Sequence, residues 1–299
     1  MPRIKIVTDS AGDLPEGFAD DHDVSVVALD VRVGEHGPEE LREMNPKEFW
    51  ELCRHSPSLP ETSAPSPGAF QAAYRDAAEK GYDAVLCVTI SARLSATFQA
   101  ARAGASEMGT DIPVRVVDSR FASMGEGLTV IEAVELARRS AEEPGNSADL
   151  GAEMDRLAAR LGASVQRTRL YGTLDTLENL RRGGRIGNAQ ALLGSVLSIK
   201  PVIVVTDGAV EAESRQRTRI RSLHYLADKV RDAGPIGRLA VIHAEAADLE
   251  TLLQMVRPLV RDDSLYVSYM GPVIGAHVGR GAIGVTFQLL GPDPASVRL

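Results

Sequence analysis

Apolar residues fall along the first half of the chain in two alternating spacings. Runs at 4–8, 24–33, 84–90 and 114–117 have the length and composition of strands. Stretches at 16–21, 46–54, 70–80, 95–108 and 125–139 have the spacing of helices. The run at 84–90 offers apolar side chains to both faces, which suits a strand only where helices cover both sides of its sheet. This half therefore predicts an α/β/α layered, mostly parallel sheet. The segment EEPGNS, residues 142–147, breaks the last helix before another predicted over 148–161.

Past about residue 162 the pattern changes. Strands are predicted at 169–173, 202–206, 209–212, 239–243, 265–270 and 284–288, with helices around 176–182, 217–231 and 247–260. Asp207-Gly208 between two of these runs favours an antiparallel hairpin. The expected fold is α/β in two domains: an N-terminal α/β/α domain over 1–162 and a smaller C-terminal α/β domain with a mixed sheet over 163–299.

Composition narrows the function classes. A formal charge of -8 over 299 residues repels a polyanion over most of the surface, so no nucleic-acid partner is expected. The two cysteines, Cys53 and Cys87, form no metal-ligand spacing and read as buried small hydrophobes, with no metal or cofactor implied. The amino-terminal residues run into a strand pattern without the apolar stretch of a signal peptide. No run of about 18 uncharged apolar residues appears, so a cytoplasmic location is expected.

Candidate chemistry gathers where parallel strands are predicted to end, the edge at which open α/β sheets place ligands. Asp9 and Ser10 follow the first strand, as a turn or cap or as ligand contacts. Thr62, Ser63 and Ser66 crowd the loop ETSAPSPGAF; Ser66 with Pro67 reads as a helix cap, which leaves Thr62 and Ser63 unexplained. Ser91, Ser95 and Thr97 follow the strand at 84–90. His277 stands in a predicted glycine-rich loop, GPVIGAHVGRGAIG, where little bulk would keep a ligand from the imidazole. Arg181, Arg182 and Arg185 bracket two glycines in LRRGGRIG and suit either a solvated helix end or a carboxylate, phosphate or acidic partner. Arg215, Arg217, Arg219 and Arg221 would extend such a patch. Gly279, Gly281 and Gly284 spell G-x-G-x-x-G, but no βαβ unit can follow so near the end, so the dinucleotide reading fails. G-x-S-x-G, H-E-x-x-H and Walker A motifs are absent.

Six ordered blocks resemble the DegV family from end to end: IKIVTDSAGDLP, ETSAPSPGAF, ISARLSATFQAA, VRVVDSRFASMGEGL, DTLENLRRGGRIGNAQALLGSVLSIKPV and GPVIGAHVGRGAIGVTF. The resemblance implies a long-chain fatty acid such as palmitate, stearate or oleate held between two domains, its carboxyl group met by hydroxyls and an imidazole. Thr62 and Ser63 match the family's Thr-Ser pair, Ser95 the second serine of Ser-x-x-Leu-Ser, and His277 the histidine of the glycine-rich segment. Asp9, Ser10, Ser91, Thr97, Arg181 and Arg185 are further candidate ligand or partner contacts. The family often has glycine where this chain has Arg93 and Ala96, and proline where it has Arg280. Family members of this kind present the acid to a separate ATP-dependent fatty acid kinase subunit. A carrier without catalysis of its own, touching membrane surfaces transiently to exchange lipid, is therefore expected. A different class, a serine esterase pairing Ser95 with His277, lacks an identifiable orienting acid. The arginine groups as a regulatory or nucleic-acid surface form the third reading.

Overall fold

A computed structural model describes residues 2–56, 58–109, 112–142, 149–192 and 199–291. Among these residues twelve strands run in the order β1 Ile4–Asp9, β2 Val24–Val27, β3 Asp30–Arg32, β4 Glu61–Ser63, β5 Ala84–Thr89, β6 Val114–Asp118, β7 Thr168–Thr173, β8 Lys200–Thr206, β9 Ala209–Gln216, β10 Ile236–His243, β11 Leu265–Tyr269 and β12 Ile283–Leu289. A four-stranded sheet, ordered β2-β1-β5-β6, is parallel throughout. A six-stranded sheet, ordered β11-β10-β12-β7-β8-β9, is mixed, with β10 and β11 parallel and its other pairs antiparallel. The chain is thus an α/β protein with one parallel and one mixed sheet, as the two halves of the sequence predict.

Two-residue alternation builds the parallel sheet. Leu86 and Val88 of β5 pack with Met154, Leu157 and Leu161 on one face, while Val85 and Cys87 pack with Phe70 and Tyr74 on the other. Both faces are buried, which accounts for the continuous apolar run. Ser66 caps the helix Pro67–Glu79, its hydroxyl accepting from the Ala69 N–H at 3.2 Å with Pro67 in the first turn. The six-stranded sheet packs one face on the helices Arg219–Arg231 and Leu249–Val256. Its other face joins residues of the first half, among them Leu29, Ile90, Phe121 and Leu128, in a single apolar cluster.

Three elements differ from the sequence reading. The predicted strand at 24–33 splits, because the Ser10 hydroxyl takes the Leu29 N–H at 2.9 Å and β3 turns to pair antiparallel with β4. The Thr-Ser segment is therefore a three-residue strand, too short to show a period. The predicted loop around His277 contains a helix, Pro272–Val278, ended by Gly279 at φ 76°. Its glycine at 275 serves close packing: a Cβ there would lie 2.7 Å from the Trp50 ring.

Residue 162 lies inside the helix Leu150–Arg167. The last turns of this helix reach the six-stranded sheet, where Gln288 Nε2 donates to the Ser164 hydroxyl. The breaker EEPGNS lies, from residue 143 onward, outside the described residues, as do residues 193–198 of the arginine-glycine block.

Candidate functional site

A cavity with about 900 Å³ of empty space, open mouth included, lies between the carboxyl edge of the parallel sheet and the inner face of the mixed one. Its bore is narrow. Its walls are mostly apolar: Ile90 and Leu94 from one side, Leu174, Ile203 and Ile242 from the sheet, and Ile274 from the 272–278 helix.

Thr62, Ser63, Ser95 and His277, drawn from three separate parts of the chain, all line this cavity, and so does Arg185. A second, polar hollow of about 960 Å³ meets the first at Thr62, Arg185 and His277 and is edged by Glu61, Asn179 and Arg182. These three shared residues form a seam between an apolar bore and a polar opening.

Thr62 Oγ1 and His277 Nε2 are 2.8 Å apart. Burial, with the Arg185 charge adding to it, pushes the imidazole down to about 4, so at neutral pH the ring is uncharged and carries one N–H. The pair owns two polar hydrogens and spends one on their mutual bond. In either tautomer one donor is left over. His277 Nδ1 is buried without a hydrogen-bond partner among the described residues.

Ser95 Oγ and Thr97 Oγ1, 2.8 Å apart, form a second such pair, and the Thr97 N–H donates to Ser95 Oγ at 3.3 Å. Arg185 is anchored through Nε to the Leu94 carbonyl at 3.1 Å and through Nη1 to the Gly183 carbonyl at 2.6 Å. The mouth therefore offers spare neutral donors and one tethered cation, a set suited to an anion with several lone pairs.

Gly183 makes room for the imidazole. Its backbone is ordinary, φ -72°, yet a Cβ would lie 2.4 Å from His277 Nδ1. Gly183→Ala is expected to displace the ring from Thr62 and weaken anion binding at the mouth about tenfold. Its melting temperature should stay within a few degrees of the parent's. Calorimetric titration together with a thermal melt checks both; unchanged affinity would mean that the ring position is unimportant.

The other candidates sit elsewhere. Asp9 ties the ends of β1 and β5 together, accepting from the Ala11 and Ile90 N–H groups at 2.9 Å each. Ser91 is buried and donates to the Gly208 carbonyl at 2.7 Å, while Ser10 holds Leu29. Arg181 and Arg182 are exposed and both bond Glu178, whose carboxyl they hold down at about 2. Arg219 is spent on Asp248 and the Gly281 carbonyl, and Arg215 on the Ala191 carbonyl. Ser95 and His277 bond Thr97 and Thr62 respectively, and no described carboxylate orients His277 Nδ1, so a nucleophile-base-acid array is not assembled.

Sequence reasoning missed Ser123, which lines the cavity and donates to Asp13 Oδ2 at 2.5 Å. Its position just after β6, on the same sheet edge, was the available signal. It also missed a buried group of three acids. Asp13 accepts from the Gly271 N–H at 2.9 Å, where the His277 helix begins. Burial pushes Asp13 up to about 7 and Asp9 to about 6. Glu126, buried beside them with Oε2 unbonded, is raised well above the usual carboxylate range by burial and by the Asp9 charge.

The family model described as "Uncharacterised protein, DegV family" matches residues 3–289. A DegV domain-containing protein of Streptomyces coelicolor is 34% identical over 287 residues, 95% of this chain and 97% of that protein. Among solved structures, a DegV family protein from Thermus thermophilus described for its fatty acid binding is 34% identical. It superposes with a TM-score of 0.80, over 96% of this chain and 100% of its own. DegV from Bacillus subtilis, described as a fatty acid binding protein, is 31% identical with a TM-score of 0.81, over 97% and 100%.

Proposed function

This chain belongs to the DegV family, and from that premise we propose that it binds one long-chain fatty acid, tail in the apolar cavity and carboxylate at the mouth. The observation that carries the reading is the seam at Thr62, Arg185 and His277, where a narrow apolar bore meets a polar opening. Each buried methylene is worth about 0.8 kcal/mol, so a tail of roughly 14 offers on the order of 10 kcal/mol before the costs of association. Thr62, Ser63, Ser95 and His277 contact the carboxylate, with Arg185 as its cationic neighbour. The halves 1–162 and 163–299 act as two domains that hold the ligand between them.

Catalysis is not part of this role. The bound acid is presented to a separate ATP-dependent fatty acid kinase subunit for acyl-phosphate formation, in the cytoplasm, with transient membrane contact for lipid exchange. A head group that borders the polar hollow supports this, because the phosphate acceptor must be reached from outside. No helix among the described residues is long and apolar enough to cross a membrane.

Organic extraction of the purified protein followed by mass spectrometry is expected to release fatty acid at about one per chain. Delipidated protein is expected to take up oleate with the same stoichiometry. Protein that yields no lipid and ignores added oleate overturns the reading.

A further inference from the structure

Glycine is disfavoured inside strands, because it packs nothing and loses the most freedom on folding. The centre of the six-stranded sheet nevertheless places two glycines side by side. Gly172 of β7 pairs with Gly284 of β12, both are buried, and both line the cavity. Across the sheet the row reads Ile242, Gly284, Gly172, Ile203. Along β7 the neighbours on the same face are Leu170 and Leu174, which also line the cavity. Bare backbone two strands wide is thus flanked by Ile242 and Ile203 across the sheet and by Leu170 and Leu174 along β7, while on β12 the same-face neighbours of Gly284 are the smaller Ala282 and Thr286. The two isoleucines stand three strand spacings, about 14 Å, apart.

The two glycines have different causes. At Gly284 an added Cβ would lie 2.7 Å from the Tyr171 carbonyl oxygen, so the close approach of β7 excludes any side chain. At Gly172 nothing does. Its backbone lies outside the left-handed region, and an added Cβ would meet only the Ile283 oxygen at 3.7 Å and Ile203 Cγ1 at 3.8 Å, ordinary contact distances. A side chain at 172 would fit the strand and occupy one thing, the cavity.

We propose that Gly172 is the length-determining position of the site: its missing side chain keeps open a trough across the mixed sheet, and the far methylenes of the acyl chain lie in it. The inference rests on the reading of the cavity as an acyl-chain site and adds which residue selects among acids. It also separates two functions within one cavity. Thr62 and His277 at the mouth act on every acid alike, whereas Gly172 acts only on acids long enough to reach the trough.

The test is the Gly172→Val variant, with Gly172→Ala as a milder step, titrated with decanoic, lauric, myristic, palmitic and stearic acids. Valine favours strands, so thermal melts should show the parent's stability or better. Affinity for palmitate and stearate is expected to fall roughly tenfold for each pair of methylenes turned out of the trough, with decanoate and laurate retained. Gly172→Ala should give the same pattern with a smaller slope, and it decides the matter if the valine variant does not fold. A profile unchanged in both folded variants, or lowered equally for all acids, overturns the inference while leaving the acyl-binding reading intact. A parent protein that binds none of the five acids overturns both.

Discussion

Replacing His277 by alanine is expected to lower the affinity for a long-chain fatty acid about ten- to a hundredfold, by the same factor for every chain length. The imidazole and Thr62 share one hydrogen bond and keep one donor in reserve at the cavity mouth. Removing the ring deletes that donor or frees Thr62 to point elsewhere. A hydrogen bond to a charged group is worth about 1.5–3 kcal/mol, which sets the range. The factor is constant because the tail's contacts are untouched. Titration with saturated acids of different length provides the check. A loss smaller than twofold would remove His277 from the head-group set, and a loss that grows with chain length would move it to the tail.

The second large effect concerns stability. Asp9, Asp13 and Glu126 are buried together, and burial raises all three, Asp9 to about 6 and Asp13 to about 7. A carboxyl group with a folded value above its unfolded one, near 4, binds its proton more tightly in the native protein. Its contribution is therefore complete below about 4 and is lost as pH rises through the folded value. The protein should weaken by a few kcal/mol between pH 5 and pH 8. Glu126→Gln keeps the shape and the bond from Thr8 Oγ1 while removing one ionisable group. It is expected to add about 1–3 kcal/mol at pH 8, little at pH 5, and to flatten the dependence. Urea unfolding at both pH values measures this; equal destabilisation at both would mean that the Glu126 carboxyl group itself is required.

The parts of this design that were legible in the sequence are those with a local cause. A continuous apolar run marked β5, Asp207-Gly208 marked the β8–β9 hairpin, and Ser66 with Pro67 marked a helix start. The mouth residues were singled out on separate grounds, Ser95 by its place after a predicted parallel strand, Thr62 and Ser63 as loop hydroxyls that capping leaves unexplained and His277 by its flanking glycines, and the four do meet at one cavity. Family resemblance supplied the reason for choosing them over Ser91 or Asp9, which the fold uses for ties between strands. Other features had no local signature. The His277 helix carries an internal glycine that packs on Trp50, 225 positions earlier in the chain, so its glycines read as a loop. Leu174 and Ile203 look the same in sequence whether they fill a core or wall a void. Gly172 and Gly284 become neighbours only through antiparallel pairing, and the acid group forms only when the ends of β1 and the 124–142 helix meet.

The cavity is cut into the apolar cluster that joins the first half of the chain to the mixed sheet. On the proposed reading, cargo and scaffold are then one material: the acyl chain completes an interior that the polypeptide leaves unfinished. By mass action, an acid present at about a hundred times its dissociation constant adds about 2.7 kcal/mol to the folded state. Loaded molecules would outlast vacant ones under proteolysis, and the standing amount of this protein would track the supply of free acid without any transcriptional control.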